Sequence, residues 1–233
     1  MALSIAQAHQ RRARAAMESA RTAPSQTMAG ATAYEHQLNQ LLQDRLRLKQ
    51  VQSNHGKAEL KRQLLPEYIP YVEGVLAAGN GAQDEVLTTI MVWRIDSADY
   101  AGALDIARYV LAHKLVMPDR FARTTGCLVA EEIATAALLA QKTGATFDLA
   151  TLQRAADLTD DQDMPDAARA KLYLAIGRST LVGLSADNAG QPGQLLAGIE
   201  QLKRAIGLYD ACGGKKDLES AERLLKKHAA PGS

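Results

Sequence analysis

Aromatic residues are scarce in this sequence. Two Phe, one Trp and seven Tyr make up 4% of 233 residues. Cysteine is scarcer still: Cys127 and Cys212 stand far apart, which excludes a disulfide framework and a cysteine-based zinc site and fits a reducing compartment. No apolar run approaches the roughly 20 residues that a membrane-spanning helix needs. Leu3 and Ile5 precede Arg11, Arg12 and Arg14, the reverse of the order in a signal peptide. The expectation is a soluble intracellular protein with no membrane partner.

Recognisable catalytic motifs are missing as well. His9, His36, His55, His113 and His228 share no metal-ligand spacing, and none stands beside a Ser or Cys in a nucleophile motif. Gly79-Asn80-Gly81 leads into Ala82-Gln83-Asp84, without the Gly-Lys-Ser/Thr of a phosphate loop. It is a helix connection with Gly79 as a left-handed cap. Glu131 and Glu132 are adjacent on a helix and diverge by about 100°. The densest acidic run is Asp157, Asp160, Asp161, Asp163 and Asp166. Carboxylates of this kind hold Mg²⁺ in nucleases when they converge. Here the loop glycine and closing glutamate of an EF-hand are missing, and the run suits a solvated junction capping a helix near Pro165. No catalytic residue, metal or cofactor is expected.

What is abundant is helical material. Hydrophobic residues reach 47%, with Ala, Leu, Gln and Arg recurring throughout. The length allows one large or two small domains with a core. Ser4 caps a first helix running to about Ala20, and 26–31 reads as a flexible connector. Thr32 with Glu35 forms the capping box of a second helix, on which Tyr34, Leu38, Leu41 or Leu42, and Leu48 share one side. Asn54-His55-Gly56 reads as a tight break, followed by a helix over 57–65 that Pro66 ends or kinks. The arms on either side of Gly56 make an antiparallel hairpin, with a second apolar face left for partner subunits. Further helices are expected over 70–78, 82–96, 98–115, 128–142, 149–158, 165–182, 194–211 and 215–228. Small residues recur in 100–107 and 195–205 where helices would touch, as in tetratricopeptide units, without a clean 34-residue period. The fold class is all-α: basic N-terminal helices and a hairpin, then a repeat-like (tetratricopeptide-like) α-α bundle. The expected segments are 1–31 (basic helix and linker), 32–65 (hairpin), 66–182 (core) and 183–233 (C-terminal helical hairpin).

The net charge of +1 hides a division. Residues 1–63 hold ten cations, Arg11, Arg12, Arg14, Arg21, Arg45, Arg47, Lys49, Lys57, Lys61 and Arg62, against the four acids Glu18, Glu35, Asp44 and Glu59. This segment is therefore +6 and the remainder −5. Such asymmetry suggests that the first part faces an anion, with nucleic acid the obvious candidate.

One continuous region carries an order of residues found in a known family. Its pieces are Ala33-Tyr34-Glu35, Leu64-Leu65-Pro66, Gly81-Ala82-Gln83-Asp84, Trp93-Arg94-Ile95-Asp96, the run from Ala101 to Tyr109, and Asp163-Met164-Pro165-Asp166. This succession resembles the small terminase subunit of temperate tailed phages that package from cohesive ends, over about 32–173. The resemblance implies a partner of double-stranded phage DNA, a large ATPase-nuclease subunit as second partner, and a homo-oligomeric ring. It also implies work in the cytoplasm of the infected host, where concatemeric DNA is chosen, cut and packaged. The family carries an "endonuclease subunit" label, which is read here as a property of the complex.

On that basis the ten cations above are the expected DNA-binding residues. Tyr68, Tyr71 and Trp93, with apolar flanks, are read as core or interface. Two rivals stay open: a helical-repeat scaffold that ignores DNA, and a metal nuclease built on 157–166.

Overall fold

The computed structural model describes residues 3–118 and 123–229. Among them all regular structure is helical, eleven α-helices and two 3₁₀ turns, with only two isolated β-bridges besides. The all-α expectation holds. No described helix is long and apolar enough to cross a membrane. The chain divides into two compact units, Met1–Thr125 and Gly126–Ser233.

The first unit begins with α1 (Ile5–Arg21). Ser4 Oγ accepts from the Gln7 amide at 3.2 Å while the Gln7 side chain accepts from the Ser4 amide at 2.9 Å, a complete capping box. This helix packs closely on α4 (Ile69–Ala78). A Cβ on Gly74 would overlap the Arg12 carbonyl oxygen and stand 2.8 Å from Ala15 Cβ. The basic N-terminal helix is thus an integral wall of the unit.

The connector that follows α1 is tied down, contrary to its flexible reading. Ser25 N donates to Gly81 O at 3.0 Å, Gln83 N to Gln26 O at 2.8 Å and Met28 N to Gln83 O at 3.2 Å, and Met28 is buried. These partners lie more than 50 residues away, so local composition carried no sign of them. α2 (Thr32–Gln50) has Ala31 as its cap residue and no side-chain cap; Thr32 is its first helical residue, and Glu35 Oε1 accepts from Gly30 N at 2.9 Å. The expected Thr32–Glu35 box is therefore replaced by a looser carboxylate cap. The break before α3 (Asn54–Leu64) falls earlier than expected, at 51–53. Ser53 is the N-cap, accepting from Gly56 N at 3.0 Å, so Asn54-His55-Gly56 forms the first helical turn. α3 touches α2 but packs chiefly on α5.

Pro66 sits in a 3₁₀ turn (Leu65–Glu67) that turns the chain into α4, and Gly79 closes α4 with φ +68°. α5 (Glu85–Asp96) buries its residues 86–93 on all sides, which marks it as the central helix of this unit. α6 (Tyr100–Ala112), capped by Asp99, packs along it. Tyr68, Tyr71 and Trp93 are all buried, and the Tyr68 and Trp93 rings meet edge to face at 5.9 Å.

The second unit contains α7 (Thr125–Lys142), α8 (Leu149–Thr159), α9 (Asp166–Leu181), α10 (Gln194–Leu208) and α11 (Lys215–Ala229). α9 and α10 interlock through glycine and leucine. A Cβ at Gly177 would come 2.9 Å from Leu202 Cδ2, and one at Gly198 would come 2.5 Å from Leu181 Cδ2. α11 closes a small cluster in which Leu218, Leu224 and Leu225 pack on Leu195, Ile199 and Ala221.

Candidate nucleic-acid interface

Folding brings the acids of 67–96 against several of the ten N-terminal cations. Arg11 pairs with Glu67 at 3.6 Å and also donates to the Glu67 carbonyl at 3.3 Å. Arg12 meets Glu73 at 3.6 Å, Arg45 meets Glu85 at 3.5 Å, and Lys61 pairs with Asp96. Arg47 and Arg62 are held inside their own helices, by Asp44 at 2.9 Å and Glu59 at 2.6 Å. Arg62 donates in addition to Ser97 O at 3.1 Å.

These pairs are not equal. Arg12 and Glu73 are each 52% exposed, and a pair so well solvated contributes at most about 1 kcal/mol, so Arg12 exchanges partners cheaply. Lys61 is only 15% exposed and is committed to holding α3 on α5. Arg14, Arg21 and Lys49 are exposed and Lys57 half-buried, and none of the four has an acidic partner among the described residues.

The same unit has a groove of about 880 Å³ between α1, α2 and the corner of α3, with Arg11, His36, Gln40, Gln43, Arg47 and Gln63 among its walls. A smaller hollow of about 260 Å³ shares Arg11 and His36 with it and adds Gln10, Arg14, Gln37 and Tyr71. Asp44, on the groove, is 5% exposed and accepts from Tyr68 Oη at 2.8 Å. Burial, reinforced by that bond to Asp44, pushes the Tyr68 phenol well above its ordinary value, so it remains a donor.

Gln37 and Asp44 escaped sequence reasoning. The signal was present in α2: Tyr34, Gln37, Leu41, Asp44 and Leu48 recur at helical spacing and form its buried face, polar members included. Leu42 and Leu46 lie outside it and are exposed.

The acidic run in the second unit is solvated as expected, with Asp157, Asp160, Asp161, Asp163 and Asp166 all exposed, but it does not supply the cap of α9. Pro165, not an aspartate, is the cap residue of α9, and it makes no side-chain cap bond. The junction is instead gathered by Arg169, which donates to Thr159 O at 2.7 Å and Gln162 O at 2.6 Å. Among the described residues no group of three or more His, Cys, Asp or Glu side chains is placed to hold a metal ion. Glu131 is 9% exposed and pairs with Lys171 at 2.7 Å.

Residues 38–167, more than half of the chain, match the family model described as phage small terminase subunit. The chain belongs to that family. It is also 42% identical over 228 residues to "Terminase, endonuclease subunit" of Escherichia phage P2, an alignment covering 98% of this chain and 88% of the relative. No solved structure matches it. In this small terminase subunit the family match starts inside α2 and ends in the first turn of α9, so it takes in the groove's α2 and α3 walls. The cations of α1 lie outside it.

Proposed function

We propose that this small terminase subunit binds the packaging site of double-stranded phage DNA and hands it to the large ATPase-nuclease subunit in the cytoplasm of the infected host. The carrying observation is the set of cations without acidic partners among the described residues, Arg14, Arg21, Lys49 and Lys57, on the same unit as the groove. Exposed, or half-buried in the case of Lys57, they meet phosphates without first breaking an ion pair to a described residue. Arg12 joins them by exchanging its solvated partner, and the half-exposed Arg45 and the exposed Arg47 extend the surface while still paired with Glu85 and Asp44, whereas Arg11, Lys61 and Arg62 chiefly hold the unit together. Phosphate contacts set position, and the carboxamides of α2 supply the groups that read base edges. A homo-oligomeric ring, with Leu42 and Leu46 at its subunit contacts, sums weak contacts into selective binding. The endonuclease in the P2 relative's name is assigned to the assembled complex, with hydrolysis in the large subunit. The test is a salt-dependent titration of the chain on a cohesive-end fragment against a scrambled one.

A further inference from the structure

The solvent face of α11 is basic, and the way its charges are paired makes it so. α11 holds five Lys/Arg against three acids, whereas the rest of the second unit holds seven against eleven. Two of the three acids are drawn to neighbouring helices. Asp217 pairs with Arg178 of α9 at 2.8 Å, and Glu222 pairs with Lys203 of α10 at 2.8 Å. Lys215 is taken by Asp210 at 2.6 Å. The other four cations, Lys216, Arg223, Lys226 and Lys227, are exposed and have no acidic partner among the described residues.

Their spacing gathers them into a stripe. At about 100° per residue, Lys216, Ser220, Arg223 and Lys227 fall within a sector of about 60°, with Lys226 beside it. Leu218, Ala221 and Leu225, which pack in the cluster with α10, occupy the opposite side of the helix. The one acid next to the stripe is Glu219, which is exposed and pairs with no described cation. None of the large hydrophobic residues exposed among the described residues lies on α11. Protein partners are anchored by aromatic and aliphatic groups, and their interfaces are poor in lysine. A row of lysines and an arginine without an apolar anchor suits a regularly charged backbone instead. The row runs about 16 Å along the helix, the axial length of about five successive phosphates of one DNA strand.

We propose that α11 is a second contact with the phosphates of duplex DNA, made by Lys216, Arg223, Lys226 and Lys227. It lies outside residues 38–167, which match the family model, and in a different unit from the cations of α1, α2 and α3. The inference rests on the DNA-binding reading above and extends it: each unit carries its own phosphate contact, and the two reinforce each other on one duplex. Phosphate contacts carry no sequence information, so α11 adds affinity without adding choice of site.

The experiment measures the affinity of the full chain for a cohesive-end duplex, a scrambled duplex and poly-glutamate over a range of salt. It is repeated on a quadruple variant, with Lys216, Arg223, Lys226 and Lys227 all changed to Gln, and on Glu219→Gln. The quadruple variant is expected to bind both duplexes at least tenfold more weakly at low salt, with a slope of log K against log salt about 3–4 shallower. The ratio of affinities for the two duplexes stays unchanged. Glu219→Gln tightens both about threefold. Bound duplex protects Lys216, Lys226 and Lys227 of the natural chain from acetylation, read by mass spectrometry; should the quadruple variant prove unstable, this protection decides the matter. Duplex binding with the same salt slope in the quadruple variant, or no protection of these lysines, overturns the proposal and leaves the DNA reading standing. No duplex binding by the natural chain overturns both. Poly-glutamate bound as tightly as duplex, and weakened equally in the quadruple variant, makes the partner an acidic protein and also overturns the proposal.

Discussion

Tyr71 Oη donates a 2.6 Å hydrogen bond to Asp84 Oδ2, while Oδ1 of the same carboxylate accepts from Leu87 N at 2.8 Å and caps α5. Two helices are joined at one fully buried group. Burial pushes the Asp84 pKa up to about 6, against the lowering effect of the Tyr71 bond and the backbone amides.

That direction sets a pH dependence. The folded state holds the Asp84 proton more tightly than the unfolded chain, whose value is 3.8. The stabilisation this confers is complete below the unfolded value and is lost as pH rises through about 6. Asp84→Asn keeps a competent N-cap without the charge. Between pH 4 and 7 the stability of the natural chain should fall relative to that variant, by at most about 3 kcal/mol. Urea unfolding of both proteins across this range checks it; parallel curves would contradict the assignment.

Gly74 is the point at which α1 rests on α4. Gly74→Ala places a methyl group against the Arg12 carbonyl and Ala15, neither of which can move without shifting its helix. A loss of about 1–3 kcal/mol is expected, together with faster proteolysis in the connector at 22–31. Gly30→Ala is the contrasting variant: φ is +86° but nothing stands within 4 Å, so any cost comes from the backbone alone, and α1 stays docked.

Arg169 gathers the α8–α9 junction by donating to carbonyls at its rim. Arg169→Ala leaves those carbonyls to water and should destabilise the second unit by about 1–3 kcal/mol. Asp160→Ala combined with Asp163→Ala should change the thermal midpoint little, and Mg²⁺ should not raise the midpoint of the natural chain. A Mg²⁺-dependent rise lost in the double variant would revive a metal role for this loop.

Much of the helix order was legible because the cues were local. Ser4 with Gln7 caps α1, Gly79 takes a left-handed φ, and Pro66 cannot continue α3. The start of α3 was misplaced because Ser53, a local cap, was passed over, whereas groups farther along the chain finished two other segments. Met28 is buried because the connector pairs with Gln83, and Arg169 organises a loop whose aspartates looked like its caps. The basic segment was plain in the sequence. The pairing of Arg11, Arg12, Arg45 and Lys61 with acids of 67–96 was not, because partners so distant are invisible to a charge count. Gln37 was missed because a polar residue in an amphipathic stripe passes for a surface position.

The central claim is DNA recognition through cations that lack acidic partners among the described residues. Its most direct test is the affinity of the full chain for a cohesive-end fragment and a scrambled fragment over a range of salt, without Mg²⁺. The natural chain is compared with a variant in which Arg14, Arg21, Lys49 and Lys57 are all changed to Ala. Each phosphate neutralised contributes about −0.9 to the slope of log K against log salt. The account predicts tighter binding to the cohesive-end fragment and a slope about 3–4 shallower in the variant. Equal affinity for both fragments, or a slope unchanged by the four substitutions, would contradict it.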